Sequence, residues 1–166
     1  MENAAIVDST GKANRPAVTF MADHMLGKLG KYLRIIGYDA AWDTQVRTHA
    51  LIAKANAEGR FFLTRNSHLP HQFPKPNQLI MIGSTDPVCQ LAEVVEKLKL
   101  DRDLFLFSKC IRCNVVLDDV LDKKEIKAGV HPNVYQRYDQ FYRCPSCQTI
   151  FWKGSHVRNT RRKLGL

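Results

Sequence analysis

The chain has 166 residues, 45% of them hydrophobic, so it can bury a real core; one domain of about a hundred residues with a smaller metal-stapled module describes it better than two full domains. No apolar run is long enough to span a membrane, and Met1 to Pro16 lacks the hydrophobic centre of a signal peptide, which excludes a membrane-spanning reading and makes a reducing cytoplasm the expected location. The 25 Lys and Arg against 16 Asp and Glu leave a formal charge of +9, which points to a polyanionic partner, and nucleic acid fits better than a membrane because no amphipathic apolar face accompanies the charge.

Residues 1–17 are polar and aperiodic and are expected to form a flexible leader. Ala17 to Ala22 reads as a short buried strand, with Asp23 where the strand runs out. Met25, Leu29, Tyr32, Leu33 and Ile36 recur at helical spacing, so a helix is expected over roughly His24 to Ile36, ended by Gly37 as a left-handed cap. Lys28, Lys31 and Arg34 are assigned to another face of that helix, where they can track phosphates or simply be solvated. A second strand follows at Gly37 to Trp42, and Thr48 can cap a helix with apolar positions Leu51, Ile52 and Ala55. Glu58-Gly59 closes it, Arg60 to Thr64 forms a third strand, and Arg65-Asn66 sits at that strand's carboxyl end. Beyond a Pro-rich loop comes the strand Gln78 to Ile82. Asp86 followed by Pro87 then starts a helix whose buried stripe is Val88, Leu91, Val95 and Leu98, with Cys89 read as a small core residue.

Strands alternating with helices argue for a parallel α/β sheet over residues 18–108, and ligands in such sheets bind beyond the carboxyl ends of the strands. Asp23 and Arg65-Asn66, at the ends of the first and third strands, are therefore expected to share one cleft, where Thr48 and Asn66 offer only neutral oxygens. A lone carboxylate there binds Mg or Mn poorly, because such sites use two to four acids, and spacing does not place Asp39, Asp43 or Asp86 in it. Asp23 can equally be a cap for the helix that follows.

Four cysteines then come as two Cys-x-x-Cys pairs, Cys110/Cys113 and Cys144/Cys147, separated by thirty residues. That pattern fits a structural zinc ion in a ribbon over residues 109–157, and an intervening stretch of this length should contain its own strand or helix. Asn114 and Gln148 follow the second cysteine of each pair, as in zinc knuckles. Phe151 and Trp152, beside the second pair, can stack on unpaired bases or pack over the ribbon core. From Gln140 to the end there are six cations (Arg143, Lys153, Arg158, Arg161, Arg162 and Lys163) and no acid, so residues 158–166 read as a basic tail.

The run Phe20-Met21-Ala22-Asp23-His24-Met25-Leu26-Gly27 through Ile36-Gly37-Tyr38-Asp39, then Leu63-Thr64-Arg65-Asn66, resembles the ribonuclease domain found at the C-terminus of the Mut-seven exonucleases; Cys110-x-x-Cys113-Asn114, Cys144-Pro145-x-Cys147 and Phe151-Trp152-Lys153-Gly154-Ser155-His156 are similar to that family's zinc-ribbon ending. The resemblance implies a PIN-like fold, single-stranded RNA as substrate class, and hydrolysis with Mg or Mn at an acidic centre. It also implies an acid where Thr48 stands and another where Asn66 stands, so that only Asp23 carries over unchanged. The expected function is RNA binding on a ribonuclease scaffold with hydrolysis weak or absent, through Lys28, Lys31, Arg34, Arg65, Trp152, Lys153, His156, Arg158, Arg161 and Arg162. An active endoribonuclease and a ribbon that docks a protein partner are the alternatives.

Overall fold

The computed structural model describes residues 18–71, 74–103 and 105–166; the expected leader lies outside them. β1 (Thr19–Ala22), β2 (Asp39–Ala41), β3 (Phe61–Thr64) and β4 (Leu79–Met81) form one parallel sheet in the order β2-β1-β3-β4. The direction of chain progress therefore reverses between β1 and β3. Helices α1 (Gly27–Ile35), α2 (Thr48–Ala57) and α3 (Pro87–Leu98) cover the sheet, as an all-parallel sheet requires.

The alternation of side chains along β1 sorts the core into two layers. Phe20 and Ala22 face α1 and α3 with Leu29, Leu33, Leu63 and Leu91, while Met21 joins Phe62, Leu51, Ile52 and Ala55 beneath α2. Asp86 caps α3 by accepting from the amides of Val88 and Cys89, with Pro87 in the first turn. Gly37, at φ +93°, takes the left-handed turn after α1, and a Cβ there would meet the Phe105 backbone.

The C-terminal part is a three-stranded antiparallel sheet of β5 (Asp118–Asp119), β6 (Phe141–Arg143) and β7 (Ile150–Trp152). The stretch between the cysteine pairs contains β5, a 3-10 segment at Lys123–Gly129 that buries Ile126, and the short helix α4 (Pro132–Arg137). The chain ends in α5 (Ser155–Leu164), which runs across the boundary expected at residue 157. Val157 and Leu164 are both buried, and Leu164 enters the core of the α/β sheet. The basic tail is thus the outer face of a docked helix.

Two other expectations are corrected. Cys89 is exposed, because α3 turns Leu91 and Val94 inward and Cys89 lies on the opposite side. Arg34 is buried at 5% exposure: its Nε donates to the Ala40 carbonyl (2.7 Å) and its Nη1 to the carbonyls of Ile111 (2.9 Å) and Arg112 (2.8 Å), so it is not available to phosphates. Its guanidinium lies 3.9 Å above the ring of Trp42, which in turn rests on Gly27 and Gly30 of α1.

A Cβ at Gly30 would stand 2.5 Å from the Trp42 ring. Gly30→Ala gains about 1 kcal/mol of helix propensity but overpacks at a cost of about 1–3 kcal/mol. Urea unfolding should therefore show a net loss of about 1 kcal/mol, whereas a gain would mean that Trp42 is free to move.

Candidate functional site

Asp23 and Thr64 stand at the carboxyl ends of β1 and β3, where the strand order reverses and an open α/β sheet forms its ligand crevice. Both are buried, Asp23 at 2% and Thr64 at 0% exposure, because the β-ladder continues past the strand through a bond from the Asp23 amide to the Leu63 carbonyl (2.9 Å). The Asp23 carboxylate accepts from three donors: the Thr64 hydroxyl on Oδ2 (2.6 Å), and the His24 amide (2.8 Å) and the Thr48 hydroxyl (3.4 Å) on Oδ1. His24 Nδ1 lies 3.5 Å from the same Oδ1, and its Nε2 meets the Val46 carbonyl. The cap that Asp23 supplies serves only the 3-10 turn of residues 24–26.

Asp23, Thr48 and Asn66 do converge, though not as three ligands for one ion. Thr48 is the first residue of α2, not its cap, and its hydroxyl is spent on Asp23. The Asn66 amide donates to the Thr64 hydroxyl (3.0 Å), while its side-chain oxygen turns away to accept from the His68 amide (3.0 Å). The other candidate acids are bound to other partners. Asp39 is in register with Thr19 at the start of β1, about 13 Å of strand from Asp23. It is bound there by Arg60 and by Asn114 Nδ2 (2.7 Å). Burial raises its pKa, but these hydrogen bonds outweigh burial and hold it below its usual value. Asp43 is exposed and accepts from the Gln45 amide, and Asp86 caps α3. Thr64, which sequence reasoning did not assign to the site, makes the shortest of the three hydrogen bonds to the Asp23 carboxylate; its signal was its place at the end of a buried strand.

Among the described residues, one group of three or more Cys, His, Asp or Glu can hold a metal: Cys110, Cys113, Cys144 and Cys147, whose sulfurs all lie within 4.8 Å of one another. The two halves are built alike. Asn114 (φ 64°) and Gln148 (φ 58°) adopt left-handed backbone and donate to the carbonyls of Cys110 and Cys144, both at 2.9 Å. The amides of Cys113 and Cys147 point at the sulfurs of Cys110 and Cys144, both at 3.4 Å. Cys110 and Cys147 have their sulfurs 3.8 Å apart, which is about the edge of a tetrahedron with metal–sulfur bonds of about 2.3 Å. The residues fit a thiolate-bound ion. Burial pushes the Cys110 thiol up to about 12, while the Thr149 hydroxyl beside Cys147 brings that thiol down to about 6. An ion entering at neutral pH therefore displaces protons, and its affinity falls as pH falls.

The first knuckle is clamped to the edge of the parallel sheet. Asn114 Oδ1 accepts from the Ala40 amide (3.2 Å), Arg34 takes the Ala40 carbonyl, and Lys109 Nζ donates to the Asn114 carbonyl (2.9 Å). Of the cations assigned to RNA, Lys28, Lys31, Lys153, Arg158, Arg161 and Arg162 are exposed, and so is His156. Arg65 is half-buried with its Nε unpartnered, at an open hollow at the ends of β3 and β4 that Ser67, Ser84 and Lys97 also line. Trp152 is half-buried and meets the His156 ring edge-on. No helix among the described residues is long and apolar enough to cross a membrane.

The chain belongs to the Mut7-C RNAse domain family, whose model matches residues 18–164. No curated protein and no solved structure matches it.

Removing the ion with a chelator should loosen more than the ribbon. We expect amide exchange at Ala40 to quicken by about tenfold or more while Met21 and Phe62, inside the sheet, stay protected. Unchanged exchange at Ala40 would show that the clamp does not need the metal.

Proposed function

We propose that this member of the Mut7-C RNAse domain family holds single-stranded RNA at the carboxyl ends of its parallel strands and cuts it weakly or not at all. One observation carries the reading: the buried Asp23 carboxylate is already occupied by the hydroxyls of Thr48 and Thr64 and the amide of His24, and among the described residues it belongs to no group of three or more Cys, His, Asp or Glu that could hold a metal. Hydrolysis of a phosphodiester by a metal-bound water needs a cation held by several anionic oxygens, and each ligand lost weakens both the ion and the orientation of the water. Supplying one carboxylate that must first give up its own hydrogen bonds does not meet that need. Mg or Mn is a cofactor of this chain only if it cuts.

RNA binding rests on different residues. The exposed cations Lys28 and Lys31 stand on α1, Arg65 lines the open hollow at the ends of β3 and β4, and Arg158, Arg161 and Arg162 are exposed on α5. The ion in the four-cysteine site is zinc: thiolates suit a borderline-soft cation, the two-plus-two spacing is that of structural sites, and four sulfurs leave no open position for chemistry. Four thiolates around a divalent ion leave a net negative charge, and Arg34 and Lys109 stand next to it. The family match favours the competing reading, an active ribonuclease, and one experiment separates them.

An unstructured RNA of about twenty nucleotides, incubated with the full chain and manganese, should remain intact at a level that Asp23→Asn does not change. The same RNA should bind with an affinity that falls linearly on a log scale with salt, at a slope of about −0.7 per phosphate contacted, and Asp23→Asn should alter that affinity less than about twofold. Turnover that disappears in Asp23→Asn would establish the enzyme instead, and binding insensitive to salt would remove the electrostatic basis of the proposal.

A further inference from the structure

A hollow of about 260 Å³ lies at the seam where the end of α1, the first knuckle, the β6–β7 hairpin and α5 meet. Its walls are apolar and largely aromatic: Phe107, Ile111, Phe151, Trp152 and Val157, with Thr160 beside them on α5. Ile111 is 38% exposed, one of three large apolar side chains so exposed among the described residues. Exposure of this kind inside a concave aromatic site has no packing role to explain it. At the margin stand Lys153 and His156, and the Trp152 indole N–H donates no hydrogen bond within the described chain.

The dimensions restrict the occupant. At 260 Å³ the hollow falls just below the ~300–1,000 Å³ of sites for drug-sized ligands, so it takes one flat ring system and is too small for the apolar face of a helix. Charge restricts it further. Lys109 and Lys153 line the hollow itself, and of the six cations from Gln140 to Leu166, Arg143 pairs with Glu125 and Arg161 stands 3.8 Å from Asp103, which leaves Arg158, Arg162 and Lys163 exposed on α5 without an acid beside them among the described ion pairs. A ligand that places a planar apolar ring in the slot and anions on both sides matches this arrangement. A nucleotide in a single strand has that form, because its base can leave the stack while the flanking phosphates stay on the cationic surface.

We infer that this seam is a nucleobase pocket, which takes one unstacked base of a single-stranded RNA between the ribbon hairpin and α5. The site is separate from the crevice at Asp23: it is built from the first knuckle, the hairpin and the last helix, and it exists only while the four-cysteine ribbon is folded against α1. The inference rests on the RNA-binding reading above and adds that part of the affinity comes from a base, not from phosphates alone. Recognition by a mostly aromatic and aliphatic slot, with Lys109, Tyr142, Thr160 and the Trp152 indole as its polar groups, tolerates several bases, so the pocket favours unpaired RNA over duplex without reading a sequence.

The test compares two ligands on the full zinc-loaded chain by fluorescence anisotropy: a labelled single-stranded RNA of ten nucleotides, and the abasic ribose-phosphate oligomer of the same length and charge. The RNA should bind about tenfold more tightly at equal salt, the low end of what one stacked base contributes, with the same salt slope for both. Thr160→Trp, made at a half-buried position where the new ring fills the slot from α5, should bring the RNA down to the affinity of the abasic oligomer and leave the oligomer unchanged. Should that variant fold poorly, Ile111→Ser shortens the exposed wall and is expected to cost the RNA about threefold and the oligomer nothing. Equal affinity of RNA and abasic oligomer for the native chain overturns the pocket and leaves RNA binding standing on charge alone. A base preference that Thr160→Trp does not touch also overturns it, by placing the base elsewhere. Binding of neither ligand overturns the RNA-binding reading together with the pocket. Capture of an acidic aromatic peptide in place of RNA, lost in Thr160→Trp, assigns the slot to a protein partner and equally refutes the inference.

Discussion

Arg34 joins the two halves of this molecule. Burial lowers its pKa to about 10, against the opposing pull of Asp39 and the thiols of Cys110 and Cys113, so the guanidinium remains charged at neutral pH inside a nearly closed site. A buried charge is tolerable only when its donors are satisfied, and here the fork reaches three carbonyls on two different modules while its face covers Trp42. Lysine, with a single ammonium and no planar fork, could not make that set. The partner bonds from Asn114 complete the joint, so that Ala40 has both its amide and its carbonyl occupied. β2 is an edge strand of three residues, and this contact closes at its middle residue an edge that would otherwise be open to another chain.

That joint explains why a small thiolate site is kept on a nuclease-type sheet. The knuckle presents the carbonyls of Ile111 and Arg112 to Arg34 only in the tight turn closed by Cys110 and Cys113, and the left-handed conformation of Asn114 turns its side chain toward β2. The metal site, the sheet edge and the seam lined by Ile111 are therefore one construction. The crevice at Asp23 sits at the other end of the sheet, where the hydroxyls of Thr64 and Thr48 donate to its carboxylate. A hydroxyl makes a good donor to a carboxylate and a weak ligand for magnesium.

Much of this was readable in the chain. Buried strands short enough for a parallel sheet, Asp86-Pro87 at the start of α3, and the cysteine pairs all carry local signals, and the rule that ligands gather at strand ends points from the sequence to Asp23 and Asn66. The failures have a geometric cause. Lys28, Lys31 and Arg34 look like one face at spacing three, yet each step drifts by about 60° on an α-helix, so Arg34 has rotated about 120° from Lys28 and enters the core. Cys89 precedes Leu91 by two residues and so points about 200° away from it. In α5 the run of cations concealed Val157 and Leu164, seven residues apart and on one face, which dock the helix. The clamp between Asn114 and Ala40 joins residues 74 positions apart, and nothing local announces it.

The account stands on the claim that the crevice at Asp23 cannot retain a hydrolytic cation. Crystals of the zinc-loaded chain soaked in millimolar manganese, with anomalous scattering recorded at the manganese edge, address that claim without relying on any substrate. The expected maps show strong density at the four sulfurs when recorded above the zinc edge, and none within coordination distance of Asp23 at the manganese edge. An ordered pair of manganese ions bridged by the Asp23 carboxylate, with Thr48 and Thr64 swung aside, would contradict it.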